Sequence, residues 1–186
     1  RLNLTCVDIV GNRNISNANP DLLQVHAINA MGHAIGLHGL YHVGWNTQLD
    51  HGLYQLTEEE RLLNQLGITL SEPVMVRAPF LGWGKVPIPG YKSAYYYETD
   101  IVSNDDKENL SAEGIVNSIT SQLQNRGYPN GPIILLHSTN TVNTYKTIIN
   151  PSPDIDLISK LQELGYTRFE VLPRPGDTTN KIIGTH

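Results

Sequence analysis

An α/β fold with a mostly parallel sheet follows from two features of this 186-residue chain. Strand-like apolar runs alternate with helical patterns along the whole length, and turn residues stand at each change of period. A third feature concerns chemistry: ionisable side chains collect where the strand-like runs end.

The elements follow in order. Leu4–Val10 is an apolar run that stops at Gly11 and predicts a strand. Asn19-Pro20 predicts a helix start, with Asn as N-cap and Pro in the first turn. Leu22, Leu23, Val25, Ala27, Ile28 and Met31 give that helix an apolar face, and Gly32 closes it. Thr57-Glu58-Glu59-Glu60 has the capping-box pattern and predicts a second helix ending at Gly67. Val74–Phe80 and Tyr95–Asp100 predict strands. Ser111 to Gly127 predicts a helix on Ile115, Ile119 and Leu123, and Pro132–His137 a buried strand. Pro153 opens a last helix on Leu157, Leu161 and Leu164, closed by Gly165 before a strand at Phe169–Leu172. No repeat, low-complexity tract or linker interrupts this order, so one domain over residues 1–186 is expected.

Composition bounds the function. Hydrophobic residues make up 39% and charged residues 17%, a globular balance. A net charge of -5 speaks against nucleic acid, which calls for a basic surface. Apolar runs such as Ile133–Leu136 are far too short to span a bilayer. One cysteine, Cys6, permits no internal disulfide and does not fix the compartment. Asn3, Asn14 and Asn109 begin tripeptides of the N-glycosylation pattern. The chain starts at Arg1, so an upstream segment such as a signal peptide is expected to have been removed or not shown.

His38, Arg77, Asp100 and His137 each stand at the expected C-terminal end of a strand-like segment. In α/β barrels that rim gathers the loops at one mouth, where active sites assemble. His38 and His42 are four residues apart in Gly32–His42 (GHAIGLHGLYH), a spacing that turns two imidazoles to one side of a helical turn, toward one ion. The spacing alone is a weak signal, and two imidazoles leave a zinc one protein ligand short of the usual three. His26 and His33 are expected to be structural or surface residues.

Six blocks resemble the polysaccharide deacetylases of the NodB homology domain, carbohydrate esterase family 4. GHAIGLHGLYH is similar to the second motif, and Asn19–Leu23 with Met31-Gly32-His33 to the helix before it. Val76–Phe80 resembles the Arg-x-Pro motif, and Tyr97–Asp100 the strand of the fourth motif. Pro132–His137 resembles the Leu-x-His motif, and Leu161–Tyr166 the final helix and turn. The resemblance implies a distorted (β/α) barrel lacking its first strand. It also implies metal-dependent deacetylation of an N- or O-acetylated polysaccharide of the chitin, peptidoglycan or xylan type. His38 and His42 would hold zinc, or cobalt in its place, to polarise the acetyl carbonyl and activate a water. His137 would be the general acid, with Asp100 hydrogen-bonded beside it to favour its protonated form. Arg77 would anchor the catalytic base, the Phe80 backbone N–H would hold the oxyanion, and Leu135 would line the acetyl-methyl pocket. Trp45, Trp83 and Tyr95–Tyr97 would stack on sugar rings. A monomer, secreted or in the cell envelope, is implied.

The sequence departs from the family where its first motif, Thr-Phe-Asp-Asp, should supply the base and the third ligand. Thr5-Cys6-Val7-Asp8 is the nearest match, but Leu4–Gly11 fits the family's second strand better, which puts the aspartates upstream of Arg1 or makes them absent. Gly39 also replaces the usual Ser or Thr after the first histidine, Leu81 separates Phe80 from Gly82, and no Trp follows Asp100. Two functions are therefore expected in competition: a deacetylase, or a catalytically impaired relative that binds glycan without hydrolysing it. The 186 residues alone are expected to have little deacetylase activity, with Asp8 as the first substitute ligand or base to test.

Overall fold

A computed structural model describes residues 20–45, 51–68, 70, 73–82, 87–105, 110–128, 130–137, 141–148, 152, 155–169 and 182–183. The expected strand at Leu4–Val10, the N-cap Asn19, the candidates Asp8 and Trp83, and the three glycosylation tripeptides' asparagines lie outside them. In chain order the elements are α1 (Pro20–Ala30), α2 (His51–Gln65), β1 (Val74–Val76), a 3-10 turn (Pro79–Leu81), β2 (Ala94–Tyr97), β3 (Ile101–Val102), α3 (Ala112–Asn125), β4 (Ile134–Leu135), α4 (Thr141–Ile148), α5 (Leu157–Glu163) and β5 (Ile182–Ile183). They fall into two compact units, residues 1–98 with 170–186, and residues 99–169.

In the first unit β1 pairs with β2 and β2 with β5, all parallel, with Val76 opposite Tyr96 and Tyr96 opposite Ile182. Leu37 adds a parallel bridge to Val76: its N–H donates to the Met75 carbonyl at 2.8 Å, and Arg77 N–H donates to the Leu37 carbonyl at 3.1 Å. Every residue of β1 and β2 is buried. A parallel sheet covered on both faces accounts for that, and for the lack of alternation in VMV and AYYY. Leu37, Leu56, Leu63, Ile68, Val74, Val76, Ala94 and Tyr96 form the centre of this core.

The second helix starts six residues before the expected Thr57. Thr57 is interior, and its hydroxyl donates back to the Leu53 carbonyl at 2.8 Å instead of capping. Gly52, Gln55, Leu56, Glu59 and Leu63 make the buried stripe of α2. Two of those five are polar, so the stripe does not look apolar in sequence.

The second unit is a parallel pair, β3 with β4, packed on α3. Ser111 caps α3 by accepting the Gly114 N–H at 3.1 Å, as the Ser111 start predicts. Ile115, Val116, Ile119 and Leu123 of α3 meet Ile101, Leu157 and Leu161 in one core. Gln122 serves the Val102 backbone on both sides, donating from Nε2 to its carbonyl at 2.7 Å and accepting its N–H at 3.3 Å.

Three expectations change. Tyr95–Asp100 is not one strand: β2 ends at Tyr97 and β3 begins at Ile101 in another sheet. The cap of α5 is Asp156, whose Oδ1 accepts the Ile158 and Ser159 N–H groups at 3.0 and 3.2 Å, and the helix starts after it rather than at Pro153. Helix α4 has no counterpart among the expected elements. All strand pairs among the described residues are parallel, as an α/β fold requires.

Candidate functional site

In the first unit the turn after Leu37 carries His38 and His42, the two expected metal ligands. His38 is buried, and its Nδ1 lies 2.7 Å from the Arg77 carbonyl oxygen. A carbonyl only accepts, so Nδ1 carries the proton and a neutral ring keeps its lone pair on Nε2. The His38 and His42 ring centres are 5.0 Å apart with planes at 67°. Two imidazoles on one tetrahedral ion at about 2.0–2.1 Å each bring their centres to roughly 5 Å. The His38–His42 separation is close to that value, and among the described residues no group of three or more His, Cys, Asp or Glu forms that could hold a metal ion.

Helix α2 holds this turn by its backbone. The Glu59 carboxylate accepts the His38 N–H at 3.2 and 3.3 Å and the Gly39 N–H at 2.8 Å. Gln55 Oε1 accepts the Tyr41 N–H at 3.0 Å, and His42 N–H donates to the Gly39 carbonyl at 3.3 Å. Gly39 has φ 93°, and a Cβ there would meet Gln55 Oε1 at 3.1 Å and both Pro79 Cγ and Trp45 Cζ2 at 3.3 Å. Both facts explain why glycine stands where a Ser or Thr was expected.

Arg77 is buried just after β1, with Ala78 between it and the 3-10 turn. Phe80 within that turn has φ 55° and ψ 18°, a left-handed conformation costly for a side-chain-bearing residue. Its ring stands 75% exposed and meets His42 edge-on at 4.6 Å. The expected sugar-stacking residues Trp45 and Tyr95–Tyr97 are instead core: all four are buried. Their place as exposed aromatics near the turn is taken by Phe80 and by Tyr41 and Tyr54, whose rings stack at 6.5 Å.

In the second unit His137 follows β4, and its carboxylate partner is Asp105, not the expected Asp100. Asp105 Oδ1 lies 2.7 Å from His137 Nδ1, and Oδ2 accepts the His137 backbone N–H at 2.9 Å. Ser103 Oγ donates to Oδ1 at 2.5 Å and Thr144 Oγ1 to Oδ2 at 2.7 Å. Asp100 precedes β3, and its Oδ2 accepts the Ile133 N–H at 2.7 Å. With Ile101 opposite Ile134 in a parallel pair, Asp100 stands at the start of these strands and His137 beyond their end. Four residues of extended chain separate Ile133 from His137, about 13 Å. A signal for Asp105 was present: it follows the apolar Ile101-Val102 and begins an Asp-Asp pair. Leu135 alternates with Ile134 and Leu136, the two that pack on the core, and so projects to the other face.

Burial by itself pushes the Asp105 carboxyl up, but the bonds from His137, Ser103 and Thr144 outweigh it and bring the group down to about 2. A depressed carboxylate stabilises the fold above its unfolded value near pH 4, and that stabilisation is lost as pH falls through about 2. The contribution is on the order of 2 kcal/mol. Unfolding free energy should therefore fall more steeply between pH 4 and 2 in the native chain than in Asp105→Asn; equal slopes would refute the assignment.

No helix of the described residues is long and apolar enough to cross a membrane. No family model matches the chain, and no curated protein matches it. Solved structures do. A family 4 acetyl xylan esterase from Clostridium thermocellum, in complex with a cobalt ion, superposes with a TM-score of 0.61 at 20% identity, over 92% of this chain and 76% of its own. The chitin deacetylase of the fungal pathogen Colletotrichum lindemuthianum gives 0.61 at 17%, over 84% and 66%. BA3943 from Bacillus anthracis, a CE4 family pseudoenzyme, gives 0.61 at 16%, over 81% and 48%.

Proposed function

We propose that this chain, which has the fold of the carbohydrate esterase family 4 proteins, removes acetyl groups from a polysaccharide with the help of a divalent ion. The observation that carries this reading is the His38–His42 pair, with ring centres 5.0 Å apart and the His38 tautomer set by the Arg77 carbonyl. His38 and His42 would hold the ion, zinc or cobalt, which supplies Lewis-acid polarisation of an acetyl carbonyl. His137 would donate a proton from Nε2 to the departing nitrogen or oxygen. Asp105 fixes the ring through Nδ1–H and stabilises the imidazolium that this step needs. The Phe80 N–H would face the developing oxyanion and Leu135 would contact the acetyl methyl, while Arg77 would anchor the base that takes the attacking water's proton, a place for which Asp8 is the first candidate. Chitin, peptidoglycan and acetyl xylan are the substrate types, which suits a secreted or cell-envelope monomer.

The likeness to a family pseudoenzyme supports a second reading, glycan binding without hydrolysis. One experiment separates them: acetate release from acetylated chitin oligomers, peptidoglycan fragments and acetyl xylan, after chelation and after adding back zinc or cobalt. Slow release that returns with metal, well below about 1 s⁻¹, is the expected result, since no carboxylate of this sequence matches the family's base. Glycan binding with no release on any substrate selects the second reading, and neither binding nor release refutes both.

A further inference from the structure

We infer that Glu59, aided by Gln55, is the positioning residue of the His38–His42 pair; the inference rests on the reading of that pair as a metal site. Glu59 and Gln55 lie one turn apart on the buried stripe of α2, and both spend their acceptors on backbone N–H groups of a single turn. Glu59 takes two successive donors, those of His38 and Gly39, with its carboxylate 1% exposed. The backbone of the first histidine is thereby fixed from one side, while its ring is fixed from the other by the Arg77 carbonyl. A buried anion beneath the turn also favours a cation above it. Groups that orient metal ligands from behind commonly change metal affinity about 10–100-fold when replaced.

Gln55 points the same way. It is fully buried, and its Oε1 is committed to the Tyr41 N–H, so its Nε2 is turned away and has no partner among the described residues. A buried donor without an acceptor costs stability, and an apolar side chain of similar size would avoid that cost. Among the described residues, the acceptor role toward the turn is what argues for glutamine here. The Gly39 cradle ties the two together, since any Cβ at 39 would press on Gln55 Oε1.

The test uses the whole chain with uniform 15N labelling, in the metal-free and zinc-titrated forms, as Glu59→Gln, Gln55→Met and Glu58→Gln. Glu58 is the control: it makes the same charge change but pairs with Arg61 outside the buried stripe. Metal-free, long-range proton–nitrogen spectra should show His38 in the Nδ1–H form in the native chain and in Glu58→Gln. Glu59→Gln should show mixed tautomers and faster exchange of the His38 and Gly39 amides. In the titration Glu59→Gln should bind zinc at least tenfold more weakly, and Gln55→Met several-fold more weakly without losing thermal stability. An unchanged His38 tautomer and unchanged amide exchange in Glu59→Gln would overturn the inference, whatever the zinc result. A native chain that binds no zinc while the tautomer shift appears would overturn the metal reading and leave the positioning role standing. Should Glu59→Gln fail to fold, Gln55→Met decides: zinc affinity equal to native would overturn the inference, and a loss at unchanged stability would support it.

Discussion

Asp105→Ala should destabilise the second unit by about 3–5 kcal/mol, the cost of removing a buried carboxylate on which several donors converge. The carboxylate accepts from His137 twice, from Ser103 and from Thr144, so alanine leaves four donors facing an empty space. Asp100→Ala removes one acceptor from the half-buried Ile133 N–H contact and should cost about 1 kcal/mol. Denaturant unfolding of both variants measures the difference. Equal losses would undo the transfer of the histidine's partner from Asp100 to Asp105. Acetate release should follow the same order: His137→Ala and Asp105→Ala should lower it about 10²–10⁴-fold, the usual worth of general acid catalysis, while Asp100→Asn changes it little.

Leu56→Ala is expected to cost about 2–5 kcal/mol, since a fully buried leucine loses its packing and leaves a cavity. Leu56 is the apolar member of the α2 stripe between Gln55 and Glu59, packed in the core with Leu37, Leu63 and Val76. Its loss should loosen the helix that grips the histidine turn, so zinc affinity should fall along with stability. Tyr54→Ala, two positions earlier but 50% exposed, should change stability by less than about 0.5 kcal/mol. Thermal and denaturant melts with a zinc titration check both. A Leu56→Ala chain as stable as the native one would show that α2 does not anchor this core.

Helices whose buried face is apolar were legible in the sequence. Ile115, Ile119 and Leu123 announce α3, and Ser111 announces its start, because period and cap are both local signals. Helix α2 begins before its apparent start signal for the opposite reason. Its stripe carries Gln55 and Glu59, and Glu58-Glu59-Glu60 imitates a first turn, although Thr57 bonds backward inside the helix. Tyr95–Asp100 reads as one strand in sequence because burial on both faces removes the alternation that would mark an end.

The sequence by itself determined the alternation of strands and helices, and the positions of His38, His42, Arg77 and His137 after strand-like residues. Spacing along the chain is enough for that, since a strand's end and a four-residue separation are both local. The tertiary structure decided which acidic groups serve those histidines. Glu59 reaches His38 across 21 positions and Asp105 reaches His137 across 32, and neither pairing leaves a periodic trace. It also decided which aromatics face solvent, burying Trp45 and Tyr95–Tyr97 while exposing Tyr41, Tyr54 and Phe80. The physical reason is the same in both cases: a polar or amphipathic side chain is stable inside or outside according to the partner it finds, and that partner is supplied by the fold.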